Sequence, residues 1–366
     1  MSSRFGERLV VTVFGESHGP AVGAVADAFP AGFPVDPVSV SGMMARRAPG
    51  RNMTSSRRET DEVRFVSGVY NGRTTGTPLC ALIQNNDAQS AAYATVHDMP
   101  RPSHADYAAR LRYGDAADLR GGGHFSGRLT APICALGAVA ADILKEYGVE
   151  VFGHLRSVGT ERDDPVDLSA PNREALLEAR QRAVPAVSSA AAERLAARIA
   201  QARDEGDSLG GVMELFITGL PAGLGDPMFG GAENRFAVAL FGIPGVRGVS
   251  FGEGFDAAEM TGSTHNDPFT AGEDGRAVPL TNHAGGILGG ITTGAPLVCR
   301  VAVKPTPSIS LPQETIDLRT GKTETLIISG RHDPCIALRA LPAAEAVAAL
   351  TALDMMLIEG KIGDKK

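Results

Sequence analysis

The chain has 366 residues, 43% of them apolar and 21% charged, enough to bury a large core and outside the range of disordered chains. Its formal charge of −7 excludes general nucleic-acid binding, because a phosphate backbone demands a basic surface. Cys80, Cys134, Cys299 and Cys335 are scattered without C-x-x-C or zinc spacing, which points to a reduced, cytoplasmic protein with no metal centre.

In chain order, the N-terminal MSSRFGERLVVTVFGESHG has no cleavage pattern, so no signal peptide is read there. The alternation in 8–14 predicts a strand and 22–29 a second. Asp36-Pro37 is a helix start that carries 38–45 into Arg46 and Arg47. Strands at 63–70 and 79–84 flank the Asn71-Gly72 turn as a hairpin. Residues 86–100 read as loop and 129–147 as an apolar helix. A strand at 149–152, helices at 172–182 and 190–204, a strand at 212–217, a helix at 232–240 and a strand at 246–251 follow. Glu174, Glu178 and Arg180 form the expected solvent face of the first of those helices. The glycine-rich segment 252–285 is too long for an idle loop and is expected to be functional. No apolar run is long and uninterrupted enough to cross a membrane, and 342–358 is taken as a core helix. Blocks of strands and helices without βαβ alternation favour α+β over a dinucleotide-type sheet. Gly72-Arg-Thr-Thr-Gly-Thr-Pro-Leu79 and Gly290-Ile-Thr-Thr-Gly-Ala-Pro-Leu297 echo each other, as two related halves would.

Chemistry concentrates in a few stretches. Arg101–Arg128 holds five arginines, two histidines and Gly121–Gly123 just before a helix. Free amides, a helix dipole and the two-pronged guanidiniums of Arg101 and Arg128 make this an anion site by composition. His104 has the ordinary pKa suited to proton transfer near neutrality. Seven arginines lie between Arg46 and Arg73; read blandly, they form a solvated face with Glu59, Asp61 and Glu62 as partners. Gly15-Glu-Ser-His-Gly19 fits the G-x-S-x-G pattern of a serine hydrolase elbow, the alternative function, or else holds Ser17 and His18 as a proton-handling pair. Thr281–Gly290 followed by Lys304–Ser308 suits a phosphate-bearing cofactor, though neither phosphate-loop nor dinucleotide fingerprints are present. Gly330-Arg-His-Asp-Pro-Cys335 sets a cation, an imidazole and a carboxylate side by side.

GESHGPAVG, RRAPGR, TTGTPL, RPSHADYAARLRYG, RGGGHFSGR, TNHAGGILGGITTG, KPTPSI and GRHDPC, in this order over nearly the whole chain, resemble chorismate synthase. The resemblance implies a single catalytic domain spanning 1–366, folded as a β-α-β sandwich of antiparallel sheets around helices with internal duplication, and assembled as a homotetramer. It implies a lyase that takes 5-enolpyruvylshikimate 3-phosphate to chorismate and phosphate by a trans-1,4 elimination, the last step of the shikimate pathway, with reduced FMN (FMNH2). NADPH or an external flavin reductase would keep the flavin reduced, and neither nucleic acid nor membrane is a partner.

Carried over by motif, His18 matches the histidine that protonates the departing phosphate and His104 the one facing the flavin. Ser17 and Asp333 match a proton relay at the flavin. Ser126, Gly245, Gly289, Lys304, Pro305, Thr306, Pro307, Ser308 and Arg331 match flavin contacts, and Arg47 one assigned to NADPH or substrate. Arg47, Arg51, Arg101, Arg128 and Arg331 fit the carboxylates and phosphate of the substrate. His124 and Phe125 stand where many members carry arginine and serine; Met53 stands where many have a second arginine, with Arg51 as its substitute.

Overall fold

The computed structural model describes residues 3–49, 53–54, 61–85, 97–272, 275, 277–328 and 332–365. The first half runs β1 (Arg4–Phe5), β2 (Val11–Gly15), β3 (Ala21–Ala26), α1 (Pro37–Arg47), β4 (Arg64–Ser67), β5 (Val69–Tyr70), β6 (Arg73–Thr74), β7 (Leu79–Gln84), α2 (Asp106–Tyr113) and α3 (Thr130–Glu146). The second runs β8 (Glu150–Val158), β9 (Glu161–Arg162), α4 (Arg173–Gln181), α5 (Ser189–Asp204), β10 (Gly211–Thr218), α6 (Ala232–Phe241), β11 (Val246–Phe251), α7 (Gly262–His265), β12 (Phe269–Ala271), β13 (Ala277–Pro279), β14 (Ile287–Leu288), β15 (Ile291–Thr292), β16 (Leu297–Val303), β17 (Gln313–Asp317), β18 (Lys322–Leu326) and α8 (Ala337–Ile358).

Two five-stranded antiparallel sheets, β1-β2-β3-β7-β4 and β11-β16-β10-β8-β9, enclose the central helices, and α4 covers the far face of the second through Leu176. α3 packs on β3 and β7, α8 packs on β8 and β10, and the two helices pack on each other between the sheets. The α+β sandwich expected from the motifs is thus the fold observed. Both central helices lack a polar stripe, with 83% of one and 94% of the other apolar window buried, which suits helices covered on every side. They are long and apolar enough to cross a membrane, yet here they are the core. Small residues let them approach closely: a Cβ on Gly137 would stand 2.3 Å from Ala346 Cβ.

The internal echo is a structural repeat. β5–β6 and β14–β15 are matching hairpins, each delivering a threonine before the strand that opens with Pro-Leu. Thr74 N–H donates to Phe33 O (2.8 Å) and its hydroxyl donates to Pro30 O (2.7 Å) while accepting from Phe33 N–H (3.0 Å). Thr292 makes the same three bonds to Leu224 O (2.9 Å), Pro221 O (2.7 Å) and Leu224 N–H (2.9 Å). Each threonine carbonyl accepts from a glycine at positive φ, Gly32 (87°) or Gly223 (89°), within Pro-Ala-Gly segments whose kinship the sequence reading missed.

Local signals set most elements. Asp36 caps α1 by accepting from Val38 N–H (2.9 Å), with Pro37 first in the helix. Asn172 and Ser188 cap α4 and α5 in the same way. β8 is nine residues, longer than expected, and both of its faces are covered over residues 151–155. α2, where the sequence reading assigned no element, is a further difference. Arg180 leaves the expected solvent face and turns inward to Val151 O (2.7 Å) and the buried Glu345 (3.5 Å).

Candidate functional site

A cleft of about 640 Å³, within the ~300–1,000 Å³ range of ligand sites, opens where α3 and α8 begin. Its walls come from the end of α1 (Arg47), the 101–105 turn, residues 121–130, the α6–β11 turn (241–247), residues 304–308 and the start of α8 (332–340). Two helix N-termini and several cations therefore face one cavity, which favours anions there.

The Gly121–Gly123 turn takes φ values of 58°, 88° and 52°, conformations costly for other residues. Its glycines are also needed for space. A Cβ on Gly121 would stand 2.4 Å from His18 Nε2 and 3.0 Å from Ser17 Oγ, and one on Gly122 would stand 3.4 Å from His104 Nε2. Motifs far apart in the chain thus place both histidines against one glycine turn. Ser17 N–H donates to Gly123 O (3.1 Å), which locks the GESHG segment onto it. That segment joins β2 to β3, paired Gly15 to Val22, so a strand follows the serine and not a helix. The hydrolase elbow needs strand-turn-helix and is excluded.

The arginine forks are turned inward. Arg101 grips Asp106 through Nε (2.7 Å) and Nη2 (2.8 Å) and reaches Ser308 Oγ (3.3 Å). Arg128 bonds Asn85 Oδ1 (3.1 Å) and pairs with Asp61, which also takes Arg47 Nη1 (2.7 Å). Asp61 is thus no solvated partner, since its side chain is 2% exposed. Burial raises its pKa, but the two guanidiniums outweigh that and hold the carboxyl below its usual range. Burial and neighbouring Arg339 depress Arg47. Burial depresses His104 too, which favours its uncharged form. Asn85, missed by the sequence reading, also donates to Glu16 O (3.0 Å) and Gly19 O (2.9 Å), tying the GESHG turn to Arg128.

Ser126, Gly245, Lys304, Thr306, Pro307 and Ser308 line the cleft with Asp333, Arg101, His104, Arg128 and Arg47. Ser17, His18 and Pro305 are not in its lining; the first two sit just behind Gly121. Gly289 lies in the turn of the β14–β15 hairpin, away from the cleft lining, and the expected cofactor segment Thr281–Gly290 goes with it. There Asn282 donates to Leu168 O and Pro296 O (both 2.8 Å), a structural duty. Segment 252–285, expected to be functional, contributes nothing to this cleft. Arg51 and Arg331 lie outside the described residues. Asp333 Oδ2 accepts from Arg339 Nη1 (2.7 Å), which holds the carboxylate, and Thr306 Oγ1 donates to the Asp333 backbone carbonyl (2.7 Å), which holds the main chain. His124, where many family members carry arginine, bridges Ser3 Oγ (2.6 Å) and Gly15 O (2.8 Å).

The family described as chorismate synthase matches residues 9–357. The chain belongs to the chorismate synthase family. A chorismate synthase of Korarchaeum cryptofilum is 45% identical over 366 residues, covering 96% of this chain and 97% of the relative. One of Methanocella arvoryzae is 45% identical over 359 residues, with 98% and 95% covered. A crystal structure of chorismate synthase superposes with a TM-score of 0.77 at 27% identity over 99% of this chain and 95% of that one. Membership of the chorismate synthase family makes the protein a lyase acting on a small molecule in aromatic amino-acid biosynthesis by the shikimate route.

Proposed function

We propose that the chain converts 5-enolpyruvylshikimate 3-phosphate to chorismate and phosphate by an anti-1,4 elimination with reduced FMN. The observation that carries this reading is the convergence of two helix N-termini, clustered cations and two histidines on one glycine turn. The donor set suits a flavin phosphate and ring: Lys304, Thr306, Ser308 and Ser126 supply polar contacts, and Phe241, Ile243, Pro244, Gly245 and Ile336 an apolar wall. When bound, reduced FMN would supply electron density to the allylic centre as phosphate leaves.

The chain's own groups do the rest. His18 gives a proton to the leaving phosphate. His104 presents an uncharged ring to the cleft. Ser17 and Asp333 pass on the proton taken from the substrate, with Asp333 kept in place by Arg339. Arg47 and Arg128, anchored through Asp61, supply fixed positive charge, as a preorganised anion site requires. Arg51 and Arg331 are assigned by motif to the same anions, and Gly289 and Pro305 to the flavin. NADPH, at this site or through an external reductase, would supply the reducing equivalents that keep the flavin reduced. We also infer a cytoplasmic homotetramer. Met228, Phe229 and Phe255, each more than 80% exposed, are the kind of side chains that subunit contacts cover.

The deciding assay is anaerobic, with the phosphorylated substrate and FMN, with and without dithionite. Chorismate is expected only with reduced flavin, and equal rates with oxidised FMN would overturn the reading.

A further inference from the structure

Asp106, to which the motif resemblance gives no task, is buried at 2% exposure as the first residue of α2. Its four lone-pair positions are all used. Oδ2 accepts from Arg101 N–H (3.1 Å) and Arg101 Nε (2.7 Å); Oδ1 accepts from Arg101 Nη2 (2.8 Å) and lies 2.6 Å from His104 Nδ1. We propose that Asp106 is the positioning residue of His104, fixing the tautomer with the proton on Nδ1 so that bare Nε2 faces the cleft.

Two neighbours compete for His104 Nδ1. Arg101 Nη2 lies 3.1 Å away and would need a lone pair there, whereas Asp106 Oδ1 at 2.6 Å needs a proton. A carboxylate that close to an unprotonated nitrogen would set two lone pairs against each other. The shorter contact therefore decides, and Nδ1 carries the hydrogen. Arg101 Nη2 also donates to the same carboxylate oxygen (2.8 Å), so its guanidinium braces Asp106.

The backbone is held as firmly. Ser103 adopts φ 57°, rare for a residue with a side chain, and Lys304 Nζ donates to its carbonyl. His104 N–H donates to Arg101 O (3.2 Å). With Nδ1 committed, Nε2 is the only ring nitrogen left, and it has no hydrogen-bond partner among the described residues. It lies beside Gly122, on the lining of the cleft. Arg101, Asp106 and Lys304 are the charged groups that act on the ring. His104 thus presents an acceptor to the cleft, ready to receive a proton or a ligand N–H.

This assignment rests on the proposed function only for its kinetic arm. Nitrogen-15 NMR of histidine-labelled protein without ligand reads the tautomer directly, with His104→Gln identifying the resonance. The wild type is expected to show protonated Nδ1 and bare Nε2 near neutral pH; the opposite tautomer overturns the proposal whatever the reaction. Asp106→Asn should convert the signal toward protonated Nε2 and lower kcat by about 10²-fold or more with a smaller change in KM, as when a histidine loses its orienting carboxylate. In a His104→Gln background the same substitution should cost nothing further in kcat. A full additional loss there would show that Asp106 acts through Arg101 and overturn it. Asp106→Glu, which keeps the charge, should restore the native tautomer if the asparagine variant does not fold.

Discussion

The Asp61 carboxylate lies between the guanidiniums of Arg47 and Arg128, and all three side chains are less than 10% exposed. Removing it would leave two like charges buried side by side, with a third from Arg339 acting on Arg47. Asp61→Ala should therefore lower unfolding stability by about 3–5 kcal/mol, the usual cost of breaking a buried pair from one side. Denaturant titration checks this, and a loss under about 1 kcal/mol would show the pair to be solvated. At the same scale, His18→Ala and His104→Ala should each reduce turnover by roughly 10²–10⁴-fold, the range for a positioned acid or base. Both histidines border the glycine turn without supporting the core, so circular dichroism and melting temperature should hardly change. Near-normal turnover in either variant would make that histidine structural.

Among the elements, the α3–α8 pair depends on how closely two backbones approach. Gly137 meets Ala346 with no room for a methyl group, and the obstructing atoms include the Ala346 Cα at 2.5 Å. Gly137→Ala gains helix propensity but must push the helices apart, and overpacking, which costs about 1–3 kcal/mol, outweighs that gain. Gly42, on the exposed face of α1, has nothing within 4 Å of an added Cβ. Gly42→Ala should stabilise by up to ~1 kcal/mol from propensity alone. Thermal unfolding of the two variants should shift in opposite directions; matching shifts would refute the close helix contact.

For the molecule as a whole, the outer face of the second sheet holds a buried charge network. His154 Nδ1 donates to Asp163 (2.9 Å) and Nε2 to Glu214 (3.0 Å), while Glu214 also accepts from Arg156 (3.2 Å) and Arg300 (2.7 Å). Burial alone would depress His154, but its two carboxylate partners outweigh burial and raise it. A raised folded pKa adds stability that is complete below the ordinary value near 6.5 and is lost as pH rises through the folded one. Asp163 and Glu214 are depressed, so their contribution fades only in acid, below the usual carboxylate range. Unfolding free energy should thus decline above about pH 6.5, by at most ~1.4 kcal/mol per pH unit for one proton. Urea titrations across roughly pH 6–9 on the native chain and His154→Gln isolate the effect. A variant with the same pH slope would remove His154 as its source.

The sequence by itself determined the elements and the inventory of chemistry. Caps such as Asp36-Pro37 and alternations such as 246–251 act within a few residues, so local energetics fixed them before any packing. Ordered motifs likewise made the family legible. Only the tertiary structure decided partners. Nothing local could show that Arg101 would close on Asp106, that Asp61 would be buried between arginines, or that Thr281–Gly290 would hold a hairpin while Lys304–Ser308 alone reached the cleft. The physical reason is that a charged side chain in sequence is equally a solvated group, a ligand clamp or an internal ion pair. Desolvation and distance separate those states, and both arise only when α3 and α8 bring distant loops to one end of the sandwich.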